Sequence, residues 1–168
     1  METCDECGYE YDPSTYGQIT SRVSAAAWAA ADELRTHPAE ATQRQVADRW
    51  SALEYGAHIR DVLLTIRDRM VIGLVEDNPD FKPMYRDERF TLGLCRADTA
   101  GEVALELEAA AAMFGRLFAA IDAAALERPV RYGFPNPVPR TVLWMGLQAV
   151  HEAEHHLADL RANLTRTS

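Results

Sequence analysis

Lysine is almost missing from this chain. Lys82 is the only one among 17 basic residues, and 26 acidic residues leave a net charge of −9. An acidic balance with no basic cluster excludes the face that a phosphate backbone needs, so no nucleic-acid partner is expected. Long apolar runs are lacking too. None approaches the ~20 residues of a membrane span, and no charged-then-apolar segment precedes the first polar stretch. No membrane partner is therefore expected, and a cytoplasmic location is the default. Cysteine is scarce: Cys4, Cys7 and Cys95 are the full set. So few thiols exclude a disulfide scaffold and turn the Cys4-x-x-Cys7 pair toward metal or redox chemistry. Alternating strand-type patterns, internal repeats and low-complexity segments are also absent.

What the sequence does hold is helical periodicity. Between Ser14 and Arg35 the apolar positions Ile19, Val23, Ala26, Ala27, Ala30 and Leu34 recur at helical spacing, and His37-Pro38 ends the run. Residues 36–49 read as a polar linker. A second helix is predicted from Trp50 or Ser51 to about Val75, with an apolar band wide enough for a bundle helix between two neighbours. Residues 77–98 read as a long loop. A third helix opens at Asp98 or Thr99, where Thr99 and Glu102 form a capping-box pattern. Gly133–Pro139 is a proline-rich break, and a fourth helix runs from about Arg140 to Asn163. These elements predict an all-α fold: a leader over residues 1–13, then one four-helix-bundle domain over 14–168. The 77–98 loop is long enough to carry a crossover connection.

The last helix contains V-H-E-A-E-H-H-L-A, residues 150–158. His151 and His155 are four apart and share a helix face, a common way to hold a transition metal. Bundles complete such sites from facing helices, and His58, inside the second helix, is the best third ligand. Three imidazoles suit zinc, nickel, cobalt or ferrous iron, and three protein ligands leave a position for water or substrate. His156 points about 100° away and reads as a surface group or a support behind the ligands. A solvated, charged helix face is the competing reading of the same stretch.

W-S-A-L-E-Y-G-A-H-I-R-D-V-L resembles the histidine-bearing second helix of DinB-like proteins, and H-E-A-E-H-H-L-A-D-L resembles their last-helix H-x-x-x-H motif. The superfamily also contains the mycothiol-dependent maleylpyruvate isomerases. The resemblance covers most of residues 14–165. It implies a four-helix bundle with a divalent metal on His58, His151 and His155, zinc foremost and nickel or iron as alternatives. It also implies a low-molecular-weight thiol such as mycothiol or bacillithiol as co-substrate, and pairing into a homodimer. Trp28, off the main stripe of the first helix, is a candidate for that contact.

The leader C-D-E-C-G-Y-E-Y-D-P lies outside that motif. Its Cys4 and Cys7 resemble half of a zinc knuckle, with Cys95, His37 or His156 as further ligands. They also read as a redox pair, as thiols folded over the bundle toward the histidine metal, or as a free reduced tail. Glu54, one turn before His58, is the candidate proton acceptor. Asp61, one turn after it, reads better as an ion-pair partner of Arg60 or Arg67. Tyr55, Arg140, Trp144 and Gln148 are candidate pocket residues, with Arg140 suited to a substrate carboxylate. Phe81, Met84, Tyr85 and Phe134 are candidates for an apolar rim. Together these predict a metal-dependent thiol S-transferase or isomerase acting on a small electrophile. A non-catalytic metal- or redox-responsive module and a metal-dependent hydrolase are the alternatives.

Overall fold

The computed structural model describes residues 1–133 and 135–165. Phe134, expected at an apolar rim, lies outside the described residues.

A 3₁₀ turn at Pro13–Gln18 leads into α1, Ile19–Thr36. The helix expected from Ser14 thus begins as a tighter turn, because Asp12 caps it through Ser14 N and Pro13 fits its first position. Helix α2 spans Ala52–Val75 and opens with a Ser51/Glu54 capping box. Helix α3, Arg86–Thr91, interrupts the expected 77–98 loop. Helix α4 spans Ala100–Ala119 and opens with the Thr99/Glu102 box that its sequence predicts. A one-turn α5, Ala123–Leu126, precedes strands β1, Pro129–Tyr132, and β2, Val138–Thr141. Helix α6, Val142–Leu164, starts on the Thr141 side chain, which accepts from Trp144 N.

The all-α bundle carries one small addition, the ribbon of strands β1 and β2. They pair antiparallel from Pro129↔Thr141 to Tyr132↔Val138. Each is four residues long and contains a proline, so neither shows an alternating pattern. A two-stranded ribbon has two outer edges, where a missing N–H goes unnoticed.

Helices α1 and α2 each pack against both α4 and α6. Sequence neighbours α1 and α2 therefore stand diagonally, and so do α4 and α6. The crossing connections are residues 37–51 and 120–141. The 77–98 segment, the expected crossover, joins α2 and α4, which lie side by side. The bundle closes on Ile59, Leu63, Ile66, Met70, Leu107, Phe114, Met145 and Leu147, all at 2 % exposure or less. Burial of each such side chain contributes about 1.5–3 kcal/mol.

Two features fix α6 against its neighbours. Gly146 lets it approach α1 and α4: a Cβ there would stand 2.7 Å from Phe118 and 3.1 Å from Ile19. Near its end, buried Asn163 accepts from Ala52 N and donates to the Trp50 carbonyl, each at 3.2 Å. That side chain ties the first turn of α2 to α6. Trp28 stands exposed on α1. Among the described residues no helix is long and apolar enough to cross a membrane.

Candidate metal centre

The middle of α6 carries two i, i+4 pairs offset by one residue. An α-helix turns about 100° per residue, so His151/His155 and Glu152/His156 lie on different faces.

Glu152 and His156 face α2. His58 is buried there, its ring 4.7 Å from that of His156 and 5.0 Å from that of Trp50. Its Nε2 lies 3.3 Å from Glu152 Oε2, and His156 Nε2 lies 3.3 Å from the same oxygen. The ligand atoms of His58, Glu152 and His156 fall within 4.8 Å of one another. Other side chains orient all three. His156 Nδ1 lies 3.0 Å from Asp159 Oδ2, and Gln148 Nε2 donates to Glu152 Oε1 at 2.7 Å. Burial lowers the pKa of His58 against the raising contact with Glu152. His156 is buried too, yet Asp159 and Glu152 hold its pKa up to about 9. Burial opposes the charge on Glu152, but the two imidazoles outweigh it and keep this carboxyl well below the usual range.

The structure groups the donors differently from the expected set. Among the described residues, His58 clusters with Glu152 and His156, while His151 and His155 cluster with Cys4 and Cys7. His156, read from the sequence as peripheral, takes the inner position with Glu152. The signal lies in the E-x-x-x-H spacing, one residue out of phase with the H-x-x-x-H.

The His58 and Glu152 side chains line an open cleft of about 690 Å³, part of it continuous with solvent. Phe81, Met84 and Tyr132 give it an apolar wall, and Arg69, Lys82 and Arg86 add positive charge. Arg69 lies over the Phe81 and Tyr132 rings, 5.5 and 5.1 Å from their centroids, and donates to Tyr132 Oη and the Lys82 carbonyl. Tyr85, expected at this rim, is exposed and holds a left-handed backbone conformation at the start of α3.

His151 and His155 face the leader, which folds onto α6. An α-turn places Gly8 N on Cys4 O at 2.9 Å, and Cys4 N on Tyr9 O at 2.9 Å. Gly8 has φ +73°, a conformation that residues with a Cβ rarely adopt. Tyr9 donates to the Leu147 carbonyl, Tyr11 stacks on Trp144, and Glu2 accepts from Arg140 and from Trp144 Nε1. Cys4, Cys7, His151 and His155 then offer four ligand atoms within 4.8 Å of one another. Cys95 and His37 join no such cluster among the described residues.

Arg140 and Trp144 anchor the leader through Glu2; neither lines the cleft. Gln148 does line it, bridging leader and centre: its Oε1 accepts from Tyr11 Oη at 2.6 Å. Tyr55 is buried beside Trp50 and stacks on His156. The Glu54 carboxylate accepts from Arg44 and Ser51 N. It is committed to the capping box, which leaves no proton-accepting role near His58. Asp61 forms a buried ion pair with Arg60 and Arg89, holding α3 to α2; Arg67 pairs with Asp68 instead.

Residues 20–160 match the DinB superfamily model. The chain belongs to the DinB superfamily. Its fold resembles that of YfiT from Bacillus subtilis, described as a probable metal-dependent hydrolase with an unusual four-helix bundle topology. The match has a TM-score of 0.74 and 15 % identity, covering 99 % of this chain and 91 % of that one. At that identity the likeness speaks for the fold. Among curated proteins, none matches this DinB-superfamily chain.

Proposed function

We propose that this DinB-superfamily protein is a metal-dependent enzyme that activates a small thiol at His58, Glu152 and His156. The thiol is joined to an electrophilic small molecule in the adjoining cleft. One observation carries the reading: ligand side chains from two helices converge on the wall of an open cleft. Two imidazole nitrogens and a carboxylate oxygen form a donor set that fits zinc, with iron and nickel next. When bound, such a metal supplies Lewis acidity that lowers the pKa of a thiol or water.

The protein's part is to hold the donors and shape the substrate. Burial and Trp50 hold the His58 ring, Asp159 orients His156, and Gln148 orients Glu152. Supports of this kind fix tautomer and aim. Arg86 and Lys82 favour an anionic group, while Phe81, Met84 and Tyr132 accept an apolar body. The substrate class is therefore a small acid with an apolar part. An open cleft beside the ligands favours turnover over a passive binding module.

The test combines metal analysis with turnover. Purified protein is assayed with a mycothiol-type thiol and an anionic electrophile, beside His58→Ala and Glu152→Gln. Loss of both substrates in parallel, dependent on both residues, is the expected result. Electrophile consumed without thiol would transfer the centre to hydrolysis, the activity ascribed to YfiT. A wild-type protein whose metal content does not change in His58→Ala would reject the centre itself.

A further inference from the structure

The leader thiols have no part in the cleft. We propose that Cys4, Cys7, His151 and His155 bind a second metal ion, a tetrahedral zinc whose four positions are all taken by protein and which fastens the leader to α6. The inference is independent of the cleft chemistry.

Three observations support it. The first is the donor set. Two thiolates and two imidazoles, the thiols spaced C-x-x-C and the imidazoles H-x-x-x-H, are what a closed structural zinc site uses, and these four come within 4.8 Å of one another. All three cysteines are free thiols.

The second is a pair of unmet needs. Nε2 of His151 and Nδ1 of His155 are buried and have no hydrogen-bond partner. A buried polar atom left unpaired is costly, and here two occur one helical turn apart, on two members of the same cluster.

The third is that the other nitrogen of each ring is already engaged. Gln148 gives its N–H to Glu152, so its carbonyl oxygen takes the Tyr11 hydroxyl proton. Tyr11 Oη then accepts from His151 Nδ1 at 2.9 Å. This fixes the tautomer: Nδ1 carries the proton and Nε2 presents a lone pair. His155 turns its Nε2 toward Glu6 and Asp159, each 3.5 Å away, leaving Nδ1 for the cluster. Metal-binding histidines characteristically donate their second ring nitrogen in this way.

The closed coordination makes the site structural. The leader has little core of its own, and a metal joining it to residues more than 140 positions later adds to the tyrosine and Glu2 contacts that hold it. The exposed Cys7 gains protection from thiol reagents when the ion is bound.

The experiment uses the full chain, purified without a metal-affinity tag under reducing conditions. Zinc is counted by elemental mass spectrometry in wild type, Cys4→Ser/Cys7→Ser and His58→Ala. The double cysteine variant should lose one zinc per chain, and His58→Ala should keep that one. Cobalt-loaded wild type should show a near-ultraviolet thiolate-to-cobalt band and the visible bands of a tetrahedral site; the double variant should lack the thiolate band. His151→Asn, which keeps both thiols, provides a second variant, with the thiolate band weakened or shifted at unchanged helical content. Wild-type zinc content in the double variant would overturn the site. So would a zinc-free wild type with a Cys4–Cys7 disulfide, or a cobalt spectrum without thiolate character. If the His58 centre takes no metal, wild type carries one zinc, still lost in the double cysteine variant, and the leader site stands.

Discussion

His151 and His155 look out on thiols and tyrosines of the leader; Glu152 and His156, one residue further along the same helix, look in on α2 and a cleft. The first pair sits with two thiols within 4.8 Å. The second sits with His58 beside a cleft walled by Phe81, Met84 and Tyr132 and by basic side chains. Spacing does not separate the two pairs, since both are i, i+4. The rotation of about 100° per residue does, because the packing of α6 presents only one of the two faces to α2.

The comparison can be broken most severely from the inner side. His58→Ala should abolish metal at the cleft centre and reduce turnover by at least about a hundredfold, as loss of a ligand does more than loss of a support; metal content and kcat/KM check it. On the outer side, Cys4→Ser/Cys7→Ser should leave the bundle folded but lower its melting temperature. A loss of about 2–3 kcal/mol corresponds to roughly 4–12 °C for a chain of this size, read by calorimetry, and an unchanged Tm would mean that the leader is held by tyrosine contacts alone.

Gln148 is the link between the two sides, so Gln148→Leu sharpens the contrast. It removes the donor to Glu152 and the acceptor of Tyr11. About 10–100-fold weaker metal binding at the cleft centre is expected, with no change in the number of metals at saturation; competition with a chelator measures it. Asn163→Ala removes two buried backbone contacts of α2 and should cost about 1–3 kcal/mol, measured by denaturant unfolding, with wild-type metal stoichiometry.

The smallest effect concerns acid. The folded-state pKa of Glu54 lies below its ordinary value: burial opposes this, but the Arg44 and Ser51 contacts outweigh it. Its contribution is therefore present above the ordinary carboxylate pKa of about 4.3 and disappears as pH falls through the lower folded value. Glu54→Gln should flatten that part of the stability-versus-pH curve and leave stability above pH 6 reduced by about 1 kcal/mol or less.

Much of the fold was legible in the residues. The four long helices, the Thr99/Glu102 capping box and the band of α2 follow from periodicity and local hydrogen bonding, which act over a few residues. The ribbon of β1 and β2 was not, because prolines hide strands that are only four residues long. The diagonal placement of α1 and α2 was not either, since helix order around a bundle depends on which faces fit. At the site, His58 and the two helical pairs could be picked out, but the pairing between them could not. A one-residue difference in register is invisible to spacing and is decided by contacts more than 90 positions apart, as between His58 and Glu152. For the same reason Arg140, Trp144 and Glu54 read as pocket or catalytic groups until Glu2, Arg44 and Ser51 were seen to occupy them.

The diagonal order of the helices also has a consequence for synthesis. Because α1 packs more on α4 and α6 than on α2, α1 and α2 bury little against each other until the later helices have been made. Every cluster of metal-binding side chains named above takes at least two members from residues 151–159. Neither cluster is therefore complete until α6 has emerged and docked. Any metal these clusters hold is bound only after α6 has been translated, and Cys4 and Cys7 wait for their histidine partners through the synthesis of the bundle.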